Sequence, residues 1–124
     1  MQTKTFLNSC LIEGQMADDP RNETNSRGVM VSTFTIATSR WVKRDNRIDK
    51  DISHIDIQAV GKLAEDCKRI GRKGRIVRIV GKLTQDRLIG ENGTKELLPR
   101  LYIEAEHIDF KPDSSDESEN KKEN

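Results

Sequence analysis

The sequence predicts an all-β fold, a small five-stranded Greek-key barrel with one helix between its third and fourth strands. Three observations lead there. Apolar residues alternate with polar ones in several separate stretches, the period of half-buried strands. One stretch, residues 62–70, switches to helical period. Hydrophobic residues make up 33% of the 124, charged residues 35%, and mean hydropathy is −0.77, so the single core this length allows must be lean.

The first strand is expected over residues 6–16 (FLNSCLIEGQM), with a bulge at Gly14 that bends it enough to serve both sides of the barrel. Residues 17–28 (ADDPRNETNSRG) hold turn formers and charge and read as a loop. Residues 29–39 (VMVSTFTIATS) are rich in β-branched side chains, with Met30, Phe34 and Ile36 on one face and Val29, Val31, Thr33 and Thr35 on the other. Residues 40–50 (RWVKRDNRIDK) break the alternation and read as an exposed, mobile loop carrying the sole tryptophan.

In the third strand Ile55, Ile57 and Ala59 alternate with Asp56 and Gln58. Leu63, Cys67 and Ile70 then fall at i, i+4 and i+7, the apolar stripe of a helix of about three turns that must lie on a sheet to be stable. Gly71 suits the left-handed position after a helix, and Gly74 the reversal into the next strand. In that strand Val77, Ile79 and Leu83 are expected to share one face and Arg78 and Lys82 the other. Residues 84–97 form a hairpin around Asn92-Gly93. In the last strand, residues 98–110, Leu101, Ile103 and Ala105 alternate against Tyr102, Glu104 and Glu106. Residues 111–124 (KPDSSDESENKKEN) have almost nothing to bury and are expected to be a disordered acidic and polar tail after a domain of residues 1–110. Strand, strand, strand, helix, strand, strand is the order of the OB-fold.

Charge and cysteine content narrow the function. Residues 1–110 carry 19 Lys+Arg against 16 Asp+Glu, and residues 111–124 carry 3 against 5, so a basic body precedes an acidic tail. Cys10 and Cys67 lack zinc-ligand spacing and read as small buried hydrophobes. His54 and His107 are too few and too far apart for a metal site, and no phosphate loop, catalytic triad or carboxylate pair stands out. No enzyme activity, cofactor or metal is expected. Without a membrane-length apolar run or a signal peptide's apolar segment, a cytoplasmic, nucleoid-associated location is expected and no membrane partner.

NSCLIEGQMADDP (residues 8–20), Gly28-Val29 followed by FTIAT and Arg40-Trp41, VGKLAE (residues 60–65), Arg72-Lys73-Gly74 and VGKL (residues 80–83) together resemble the DNA-binding domain of bacterial single-stranded DNA-binding proteins. The resemblance implies an OB-fold, a homotetramer, and sequence-tolerant binding of single-stranded DNA in replication, recombination and repair. It departs from the family at three of the groove's aromatic positions, which here hold His54, Val60 and Leu88, leaving Trp41 as the match. The family's tail tip, acidic with a hydrophobic residue that recruits replication and repair proteins, is replaced by SENKKEN.

Trp41 among Arg40, Lys43, Arg44 and Arg47 offers a π-face for a base and cations for neighbouring phosphates; it is otherwise a partly buried anchor for its loop. Lys68, Arg69, Arg72, Lys73 and Arg75 cluster where cations also favour a helix C-terminus, so Arg72 and Lys73 stand open between phosphate contact and dipole compensation. Arg78, Lys82 and Arg87, Lys62 at the unfavourable end of the helix dipole, and His54 as a substitute stacking ring complete the candidates. The alternative is an OB-fold adaptor that works through protein contacts with weak or no DNA binding.

Overall fold

A computed structural model describes residues 4–88 and 98–112. Its elements are β1 (Cys10–Met16), β2 (Arg21–Thr24), β3 (Met30–Arg44), β4 (Arg47–Val60), α1 (Lys62–Ile70), β5 (Ile76–Leu88) and β6 (Leu98–Phe110). The sheet runs β1-β5-β6-β4-β3-β2, and pairing of β1 with β3 closes the five longer strands into a barrel. All pairings are antiparallel except β4 with β6. This is the expected OB-fold, with the helix between the third and fourth barrel strands.

Met16, Phe34, Ile36, Ile57, Ala59, Val77, Ile79, Ile103 and Ile108 fill the interior, and α1 adds Ala64 and Cys67 across it. Burial along β3 alternates from Ser32 through Ile36, and along β4 from Ile55 to Ala59, as the period-two pattern demands. Cys67 is buried and Cys10 half-buried; neither is in a disulfide.

Several local expectations are corrected. The polar stretch expected to be all loop contains β2, paired from Arg21 with Thr33 to Thr24 with Met30. Exposed on both faces, it shows no alternation; a side-chain turn at Asn25 holds the hairpin, its Oδ1 accepting from the backbone N–H of Arg27 and Val29 at 2.9 and 3.0 Å. Residues 40–50 are not a loop: β3 and β4 continue in register to Arg44↔Arg47 around Asp45 and Asn46, with Asp45 at φ 54°. That arm projects beyond the core, so neither face needs apolar side chains.

No bulge occurs at Gly14, where β1 and β5 stay in continuous register. Its role is close approach: a Cβ there would lie 2.7 Å from the Ala37 carbonyl oxygen, where β1 crosses from β5 to β3. Gly71 is extended, at φ −80°, rather than left-handed; Gly74, at φ 93°, makes the reversal as expected. Leu83 is half-exposed rather than inward. In β6 Leu101 is exposed while Tyr102 and Ile103 are both buried. A register shift between β5 and β6 follows, Val80 pairing with His107 but Gly81 with Ala105. The extra residue, Glu106, moves the inward set from Ile103 and Ala105 to Ile108 and Phe110. Asn92-Gly93 and the tail from residue 113 lie outside the described residues.

Candidate nucleic-acid interface

Cross-strand register fixes which side chains of the long β3–β4 hairpin share a face, because alternate residues point to opposite sides. The pairs Val31↔Val60, Thr35↔Asp56, Ala37↔His54, Ser39↔Ile52, Trp41↔Lys50 and Lys43↔Ile48 lie on the outward face. Arg40↔Asp51, Val42↔Asp49 and Arg44↔Arg47 lie on the other, continuing the side that faces the core. The cluster around Trp41 is therefore split: Trp41, Lys43 and His54 stand together, while Arg40, Arg44 and Arg47 face away.

Trp41 is 72% exposed and so anchors nothing; the Lys50 ammonium sits 5.7 Å from its ring centroid, a cation–π contact on an open surface. Along the same face lie exposed Lys43, Ile48, Ile52 and His54. At its edge, Gln15, Ser39, Lys50, Ile52 and Ile76 border a cleft of about 420 Å³ where β1 leaves the hairpin. On the opposite face Arg44 Nη2 pairs with Asp51 Oδ2 at 2.8 Å, and Arg47 Nε with Asp49 Oδ2 at 3.3 Å. Exposed pairs of this kind are worth ~0–1 kcal/mol, so they direct the arginines without fixing them.

The other candidates separate similarly. Arg75 is structural: it donates to the carbonyls of Lys111 and Ile70 and lies against the Phe110 ring. Arg69 pairs with Asp66 within the helix. Arg72 and Lys73 are exposed in the turn beyond it, and the Lys73 N–H donates to Asp19 Oδ1 at 2.8 Å. Arg78 reaches across to Glu13 Oε2 with Nε and Nη2 at 3.2 and 3.0 Å, and Lys82 to Glu104 at 3.4 Å. Lys62 opens α1, exposed, two residues after exposed Val60. Arg87 pairs through its backbone with Pro99, and Leu88 with Leu98; their side chains lie outside the description.

Sequence reasoning missed Lys50, which becomes the partner of Trp41 only once the register is known. It also missed Arg21 and Arg100, which reach the same face from β2 and β6 and border a second cleft there. Among the described residues, no group of three or more His, Cys, Asp or Glu is gathered so as to hold a metal ion. No helix among them is long and apolar enough to cross a membrane.

The model of the single-strand binding protein family matches residues 7–111. A single-stranded DNA-binding protein 2 of Chlorobaculum tepidum is 32% identical over 106 residues, 84% of this chain and 70% of that one. A single-stranded DNA-binding protein of Thermotoga maritima is 31% identical over 111 residues, 87% of this chain and 78% of that one. Among solved structures, a Plasmodium falciparum SSB complex with ssDNA superposes with a TM-score of 0.77, at 19% identity, over 90% of this chain and 100% of that one, and shares its fold.

Proposed function

The chain belongs to the single-strand binding protein family, and from that premise we propose that it coats single-stranded DNA in a sequence-tolerant way, protecting it during replication, recombination and repair. The strip of Trp41, Lys43, Lys50 and His54 along one exposed face is the observation that carries this reading. It supplies a ring for a base and cations for the backbone on either side, the combination that binds unpaired strands of any sequence. Val60 and Ile52 add apolar surface where flat rings are scarce. Binding rather than catalysis is the activity, in the cytoplasm and on the nucleoid.

Self-association into a homotetramer is part of the proposal. Beyond its pairing with β5, β1 meets β3 only at Gln15 and Met16, so most of one backbone edge is open among the described residues. Leu11, 72% exposed, flanks that edge, and Ile76, Leu83 and Leu101 are exposed on neighbouring strands. An open edge beside apolar side chains favours pairing with another copy. Arg72, Lys73, Arg78, Lys82 and Lys62 extend the cationic surface beyond the strip.

The test is a fluorescence-anisotropy titration of labelled oligothymidylate at two ionic strengths. Tight binding in dilute buffer that weakens steeply with salt is the expected result, since each neutralised phosphate releases counterions. Unchanged anisotropy in dilute buffer would favour the protein-contact adaptor.

A further inference from the structure

Next to the Trp41 strip and on the same outward face, Asp18, Arg21, Thr33, Thr35, Asp56 and Arg100 border a cleft of about 220 Å³. Thr35 and Asp56 are cross-strand partners two positions along from Ala37 and His54. Thr35 Oγ1 donates to Asp56 Oδ1 at 2.9 Å and the Thr35 N–H to Asp18 Oδ1 at 3.1 Å, so both carboxylates are oriented while each keeps its other oxygen. Across the cleft, the Arg100 guanidinium lies 4.8 Å from the ring centroid of Tyr102, whose part-buried hydroxyl donates to Asp86 Oδ2 at 3.2 Å. Arg100 is thus braced from beneath. Neither Arg21 nor Arg100 is ion-paired among the described residues.

Two carboxylates facing the path of the strand repel phosphate, so a nucleotide passing here must turn its base toward the cleft. A carboxylate accepts hydrogen bonds only, and a guanidinium donates only. Guanine alone among the four bases carries two adjacent N–H donors, N1 and N2, on one edge and two acceptors, O6 and N7, on the next, the latter the usual target of an arginine fork. Cytosine and adenine offer one amino donor beside a ring acceptor. Thymine sets its N3–H between two carbonyls that a carboxylate repels. From these contacts we infer that the cleft reads a guanine of the bound strand, with Asp56 accepting from N1–H and N2–H and Arg100 donating to O6 and N7. Arg21 serves the flanking phosphate. The inference rests on the proposed single-strand binding and adds one discriminating position to an otherwise tolerant track.

The test is competition against labelled oligothymidylate by unlabelled strands of equal length, either all thymine or thymine with isolated guanines, which cannot form four-stranded structures. The guanine-bearing strand competes roughly tenfold better, the discrimination typical of a good bidentate contact. Asp56→Asn abolishes that preference and tightens the all-thymine strand, because a repulsive charge is gone. Arg100→Gln abolishes the preference but weakens the all-thymine strand. Equal competition by the two strands, or a preference that survives Asp56→Asn, would overturn the assignment while leaving single-strand binding in place. Failure of every strand to bind would remove the underlying function as well. Free deoxyguanosine monophosphate, lacking the strip contacts, leaves the labelled strand bound; its displacement of that strand from wild type but not from Asp56→Asn would make the cleft a mononucleotide site and overturn the strand reading.

Discussion

At the scale of single residues, Trp41 and Cys67 show how exposure separates binding from stability. Trp41 buries little, so Trp41→Ala should leave the melting temperature nearly unchanged while costing single-strand affinity about 1–3 kcal/mol, the range for a lost base platform. An unfolded variant, or one with unaltered affinity, would show that the ring serves another purpose. Cys67 is the opposite case. Buried between α1 and the barrel floor, its thiol is pushed up to about 11, chiefly by loss of water. The unfolded chain releases that proton near 9, so between pH 9 and 11 the unfolded state binds fewer protons than the native one. Stability should then fall as pH rises, by up to about 1.4 kcal/mol per pH unit. Urea midpoints at pH 8 and 10 would measure the fall, and Cys67→Ala should flatten it; an equal fall in that variant would assign it to other groups. The buried position of Cys67 was legible from its place at i+4 of an apolar stripe. The exposure of Leu101 was not, because it shares a face with buried Ile103 and the alternation does not mark where that face runs past the core; nor was the inward turn of Ile108, which depends on the extra residue at Glu106.

At the scale of elements, the register of the β3–β4 hairpin decides which cations share the Trp41 face. Its core half was legible, since Phe34, Ile36, Ile55 and Ile57 alternate against polar neighbours. The projecting half was not. With no face to bury, residues 40–50 need only paired backbones and a tight turn at Asp45 and Asn46, and that requirement leaves no hydrophobic period to read. The candidates drawn from this stretch as one cluster therefore fall on two faces. If the strand follows the Trp41 side, Lys43→Ala and Lys50→Ala should each flatten the dependence of log affinity on log salt by roughly 0.7, the contribution of one phosphate on a single strand. Arg47→Ala, on the far face and paired with Asp49, should change the slope little. Titrations at four or five salt concentrations give the slopes. Equal flattening by all three variants would mean that DNA wraps both faces of the arm.

At the scale of the whole molecule, the barrel was legible, whereas the proposed assembly rests on resemblance, because surface apolar residues follow the same alternation whether they meet water or another chain. Leu11 illustrates this. It alternates with Cys10 and Ile12 as any outward strand residue does, yet it sits exposed beside Glu13 and Arg78 on an edge that β3 leaves open over most of its length. An unpaired edge with an apolar flank is a hazard for a lone domain, and pairing it with a second copy removes the hazard. Self-association would also set several Trp41 strips around one particle, so a long strand could engage them in turn at high effective concentration. Leu11→Asp places a like charge opposite its own image across such a junction while leaving the core untouched. Wild-type protein should then sediment as a tetramer and the variant as a smaller species with an unchanged circular dichroism spectrum. Affinity for a short oligonucleotide that spans one strip should hold, and affinity for a long strand should drop. A variant that sediments with wild-type mass would place the junction elsewhere on the barrel.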